Sequence, residues 1–125
     1  MRIIVSGGRE YKNHQHIYAV LNTVVRPSDI IVQGGAPGVD RVAATWARTH
    51  GVACREYPAQ WNQFGTAAGR MRNMAMAKEA DALVAFWNGE SPGTSNMIRQ
   101  MQIAKKPIFV AYYDENGPVQ GLNHA

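Results

Sequence analysis

Ile3-Ile4-Val5, Ile30-Ile31-Val32 and Ala82-Leu83-Val84-Ala85-Phe86 are stretches of this chain without a polar residue. A strand with one face in water alternates apolar and polar positions. A strand without alternation has to be covered on both faces. Helical patterns separate these runs. Ile17, Val20, Leu21, Val24 and Val25 form one stripe, and Val39, Val42, Ala43, Trp46 and Ala47 form another. Strands alternating with helices define an α/β domain, and the right-handed rule for crossovers makes its sheet parallel.

The remaining elements fit the same plan. Pro27 stops the first helix, because the residue before proline resists helical backbone angles. Gly51 supplies a stop for the second. Val52 to Tyr57 alternates and holds Arg55 and Glu56, which suits an edge strand ended by Pro58. A loop runs to Gly65, and a helix is expected from Thr66 to Glu79 with Met71, Met74 and Ala75 toward the core. Thr94 can cap a helix whose apolar face is Met97, Ile98, Met101 and Ala104. Ile108 to Ala111 is a fifth strand. With the most apolar strands central, the expectation is a three-layer α/β/α domain over residues 1–113. Its five-stranded parallel sheet has the order 3-2-1-4-5. Residues 114–125 form a tail without periodicity.

In such sheets ligands bind at the carboxyl ends of the strands, where the strand order reverses. Three loops converge there. The first is Ser6-Gly7-Gly8-Arg9, whose glycines allow a tight turn and whose arginine offers a fork-shaped cation. The second is Gly34-Gly35-Ala36-Pro37-Gly38-Val39-Asp40, with glycines at a strand-to-helix turn that could form an anion nest. Its spacing matches neither a Walker loop nor GxGxxG. Asp40 is open to three roles: helix cap, ribose acceptor or general base. The third is Asn88 to Ser95, where Gly93, Thr94 and Ser95 offer amides and hydroxyls to an anion. Trp87 at the end of the fourth strand either stacks on a base or packs in the core. Arg70 and Asn73 share a helix face. Arg72 lies about 200° from Arg70, so one arginine is expected to reach the crevice while the other lies outside it.

The chain carries 13 Lys and Arg against 9 Asp and Glu, a net charge of +4. That balance suits an anionic partner. The bases are scattered along the sequence, which argues against a nucleic-acid-binding tail. No apolar run approaches the ~20 residues of a membrane span, and no membrane partner is expected. A single cysteine excludes an internal disulfide, and the expected compartment is cytoplasmic. No cofactor or metal is expected. His14, His16, His50 and His124 lack a partner set, and Cys54 reads as a buried structural thiol.

Val5-Ser6-Gly7-Gly8-Arg9, Gly34 to Asp40, Tyr57-Pro58 with Trp61, Gly69 with Arg72-Asn73, and Gly93-Thr94 together resemble the YspA-like branch of the SLOG superfamily. That superfamily includes the LOG phosphoribohydrolases and DprA-type proteins. The resemblance implies a Rossmann-like fold that binds nucleotides or nucleotide-derived ligands, and self-association as a homodimer or higher homo-oligomer. LOG enzymes carry a glutamate three residues after their Gly-Thr pair. Here that position is Met97, and a thioether cannot act as a carboxylate does. Asp40 or Glu90 would have to substitute.

The expectation is therefore a protein that senses or sequesters a nucleotide-derived small molecule, such as an ADP-ribose-like or cyclic nucleotide. Its ligand-binding residues would be Ser6, Gly7, Gly8, Arg9, Gly34, Gly35, Ala36, Gly38, Asp40, Arg70, Arg72, Asn73, Trp87, Gly93, Thr94 and Ser95. The alternative is a nucleotide or nucleotide-sugar hydrolase using Asp40 or Glu90. DNA is set aside for want of a basic cluster.

Overall fold

The computed structural model describes residues 1–119. The sheet contains β1 (Arg2–Gly7), β2 (Ile30–Gln33), β3 (Ala53–Glu56), β4 (Ala82–Trp87), β5 (Ile108–Asp114) and β6 (Gly117–Pro118) in the order β3-β2-β1-β4-β5-β6. The first five strands are parallel, in the expected 3-2-1-4-5 order. β6 adds an antiparallel edge, pairing Tyr113 with Pro118 and Asp114 with Gly117. Residues 114–119 thus supply the end of β5 and a short hairpin. The rest of the tail, with His124, lies outside the described residues.

Helices α1 (His14–Val24) and α2 (Val39–His50) cover one face. Helices α4 (Ala68–Glu79) and α5 (Pro92–Ile103) cover the other. The unbroken apolar runs explain this arrangement. Successive residues of a strand point to opposite faces. Ile3 and Val5 join Ile17, Leu21, Trp46 and Phe86 in one core. Ile4 joins Met76, Leu83, Met97 and Met101 in the other. The four residues of β3 are all exposed, as an edge strand's can be. Asn13 caps α1 through the His16 N–H (3.0 Å), and Gly51 ends α2 in the left-handed region at φ 67°.

Three local expectations are corrected. The loop after β3 contains a single helical turn, α3 (Trp61–Phe64), followed by a 3-10 turn over Gly65–Ala67. The buried side of α4 is Ala68, Asn73, Met76 and Ala77, while Met71, Met74 and Ala75 are exposed. Both rows have helical spacing. The true one contains Asn73, whose amide is hydrogen-bonded to Arg72, Gly93 and Asn96, so a reading by hydropathy alone passes over it. Helix α5 begins with Ser91 at the N-cap and Pro92 in the first turn, a favoured place for a residue without an N–H. Thr94 lies buried inside that turn and does not cap it, and Ala104 falls at the exposed C-terminal end.

Candidate functional site

A cavity of about 680 Å³ opens at the carboxyl ends of β1, β2 and β4. This size is typical of small-ligand sites. Ser6, Gly7 and Arg9 form one wall, and Ala36 and Asp40 form the next. The two loops interlock. The Val39 N–H donates to Gly8 O at 3.3 Å, and Gly38 has φ 79°. A Cβ on Gly38 would meet the carbonyl oxygens of Gly8 and Arg9. Only glycine satisfies both the backbone angle and the close approach.

Asp40 neither caps α2 nor stands free. It occupies the second position of the helix, 5% exposed, and its Oδ2 accepts from the N–H groups of Gly34 (3.0 Å) and Ala36 (3.3 Å). The Gly35 N–H donates to Gln33 Oε1 at 2.6 Å. The nest expected to cradle an external anion is therefore filled by the protein's own side chains. Burial pushes the Asp40 carboxyl up to about 6, against the opposing pull of the two amides and of Arg72 and Arg9.

A hydrogen-bonded run crosses the cavity floor from this loop to α5. Arg72 Nη1 donates to Gly34 O (2.8 Å), and Arg72 Nε donates to Asn73 Oδ1 (3.1 Å). Asn73 Nδ2 donates to Gly93 O (3.3 Å) and to Asn96 Oδ1 (3.0 Å). Arg72 thus spends two of its donors on positioning the loops. Burial lowers its pKa, partly offset by Asp40.

Gly93, Thr94 and Ser95 line the cavity from the first turn of α5. Helix geometry leaves the amides of Gly93 and Thr94 without intrahelical acceptors, and the helix dipole favours negative charge there. Arg9, Arg70 and Arg99 also line the cavity and are exposed. None of the three has an acidic partner among the described residues. Asp40 is the one acidic residue in the lining.

Of the predicted residues, Ser6, Gly7, Arg9, Ala36, Asp40, Arg70, Arg72, Asn73, Gly93, Thr94 and Ser95 come together here. Arg70 and Arg72 both reach the cavity, contrary to the expected division. Gly69 and Asn73 of α4 face the cavity, and the long side chains of Arg70 and Arg72 reach it from either side of them. Gly8, Gly34, Gly35 and Gly38 lie behind the lining and shape its loops. Trp87 packs on the second core, and its Nε1 donates to Ser91 O at 3.1 Å. Glu90 is exposed outside the cavity. Cys54 is exposed on β3 instead of buried. Among the described residues no three His, Cys, Asp or Glu side chains gather as metal ligands, and no helix is long and apolar enough to cross a membrane.

Sequence reasoning missed Trp61, Asn96 and Arg99 as lining residues. Asn96 and Arg99 are three apart on the polar side of α5, opposite Met97, Ile98 and Met101. That spacing was the available signal. Trp61 carries the family resemblance but lies in a segment that reads as a loop, where Phe64 is its one apolar neighbour at helical spacing before Gly65.

The architecture defines a Rossmann-like domain, and two solved structures share that fold. One is TM1055, a Northeast Structural Genomics Consortium target. It has a TM-score of 0.68 and 17% identity, over 86% of this chain and 71% of that one. The other is DNA processing protein A from Helicobacter pylori. It has a TM-score of 0.73 and 19% identity, over 94% of this chain and 68% of that one. The family is given by sequence. The profile of the YspA, cpYpsA-related SLOG family matches residues 1–64. Gene 61 protein of Mycobacterium phage D29 is 33% identical over 86% of this chain and 94% of its own length. The chain belongs to the YspA, cpYpsA-related SLOG family.

These findings correct the expected partners. The Helicobacter protein is described by its single-stranded DNA binding mode, so this fold does not exclude DNA. The ground for setting DNA aside also fails, because arginines scattered in sequence converge in space at one cavity. The expected homodimer has no counterpart in these findings.

Proposed function

We propose that this chain binds a nucleotide unit at the carboxyl edge of its sheet, with the phosphate at the first turn of α5. One observation carries this reading. Three exposed guanidiniums without acidic partners among the described residues, Arg9, Arg70 and Arg99, line the same cavity as the open N-terminus of α5. Arginine forks suit phosphate oxygens, and helix amides add fixed positive charge. The nucleotide could arrive free, within a larger nucleotide-derived ligand, or as part of a DNA strand.

Thermal unfolding tests the reading against nucleoside mono- and diphosphates, nucleotide sugars, cyclic nucleotides and an oligothymidylate. A ligand at 100 times its Kd adds about 2.7 kcal/mol, a shift of several degrees at this chain length. Arg99→Ala should remove the shift. No shift across the panel overturns the proposal. A strand is distinguished from a free nucleotide by an affinity that falls steeply with salt.

A second reading, hydrolysis of a glycosidic bond, rests on Asp40. Its carboxyl, raised to about 6, is suited to proton transfer near neutral pH. Met97 is buried in the core and Glu90 lies outside the cavity, which leaves Asp40 as the one acidic residue in the lining. Free base released from a bound nucleotide, and abolished by Asp40→Asn, would support this reading. Binding without release supports the first.

A further inference from the structure

We infer that Trp61 is the platform on which the aromatic base of the ligand lies. The inference rests on the nucleotide reading above and extends it to the other end of the ligand. The chain has three tryptophans. Two have conventional places. Trp46 is 2% exposed and its Nε1 donates to Asn22 Oδ1 at 2.9 Å. Trp87 packs on the second core with its Nε1 on Ser91 O.

Trp61 differs on each count. It is 53% exposed, belongs to neither core, and its Nε1 has no hydrogen-bond partner among the described residues. It opens the four-residue turn α3 and contributes to the wall of the arginine-lined cavity. The six-membered edge of its indole lies against Gly69 of α4, where a Cβ would stand 3.4 Å from Cη2. A bare stretch of helix backbone thus supports the ring at the cavity wall. A large apolar side chain left half in water has only part of its area buried by folding. It gains on binding a flat apolar partner, and a nucleobase has that shape. Stacking on an aromatic ring tolerates any base, because every base has a π face. Trp61 would then supply affinity for the base without choosing among bases, while the guanidiniums hold the phosphates.

The test compares ADP, GDP, CDP and UDP with inorganic pyrophosphate and ribose 5-phosphate, which carry the charge without a base. Binding is measured by calorimetry and by indole fluorescence in the wild type, Trp61→Ala and Trp61→Phe. The expected result is a loss of roughly 5- to 150-fold in nucleoside diphosphate affinity for Trp61→Ala, the range of base–aromatic stacking. Pyrophosphate and ribose 5-phosphate affinities should not change, and Trp61→Phe should recover part of the loss. Nucleoside diphosphates should quench the wild-type fluorescence, and pyrophosphate should not. Unchanged nucleoside diphosphate affinity in Trp61→Ala overturns the inference while the nucleotide reading stands. An equal loss for pyrophosphate also overturns it, since that marks a distorted cavity. If no nucleotide binds the wild type, the nucleotide reading fails and the inference falls with it.

Discussion

Replacing Asp40 with asparagine separates the energetics of the buried carboxyl from those of its surroundings. Burial raises its pKa from 3.8 to about 6. Two pKa units correspond to roughly 3 kcal/mol at about 1.4 kcal/mol per unit. The folded state holds this proton more tightly than the unfolded chain. Between about pH 4 and pH 6 it therefore binds more protons, and the unfolding free energy falls as pH rises through that window. Asparagine cannot ionise, so Asp40→Asn lacks this contribution to the pH dependence. Asp29 and Glu79, whose pKa values are lowered by hydrogen bonds from the N-terminal amine and from Tyr57 respectively, act in the opposite direction. They cancel when the two proteins are compared at each pH. Urea unfolding of both proteins from about pH 4 to about pH 7 should show the wild type losing about 3 kcal/mol relative to the variant. At this chain length that is roughly 10 °C in Tm. A difference that stays flat, or that grows in favour of the wild type with pH, would refute the assignment of a raised pKa to Asp40.

Gly38→Ala should destabilise by about 2 kcal/mol or more, read as a lowered urea midpoint, because the position combines a left-handed backbone with contact against two carbonyl oxygens. Asn73→Ala removes the amide joining Arg72 to Gly93 and Asn96, and should cost about 2–3 kcal/mol by the same measurement. Arg99→Ala should leave the unfolding midpoint of the free protein within about 0.5 kcal/mol, since the side chain is exposed and has no acidic partner among the described residues. Its effect should be confined to ligand binding.

The fold was legible because runs without polar alternation mark β1, β2 and β4 as strands covered on both faces, which is where the sheet order places them. The loops after those strands were legible for the same reason, since a strand's end marks where its loop must emerge. What hydropathy could not show was the polar part of the packing. Asn73 looks like a surface residue and is buried. Met71 and Met74 look like core and are exposed. Arg70 and Arg72 lie far apart around α4 yet both line the cavity, because helical-wheel angles give a side chain's direction and not the reach of an arginine. Trp61 and Trp87 are alike as residues, and only the tertiary fold distinguishes the ring packed on the core from the open one.

The two ends of the sheet bear on how the molecule behaves in a crowded solution. A free sheet edge is a template onto which another chain can add a strand. Here β6 is two residues long and closes with Pro118, which has no N–H to offer. At the opposite end, β3 is four residues long and carries Arg55 and Glu56, with Arg55 paired to Glu79. The β3 border is thus short and charged. On the other side β6 pairs only with Tyr113 and Asp114, and no described strand covers β5 from Ile108 to Ala111, so an added strand would find its template there and not at β3.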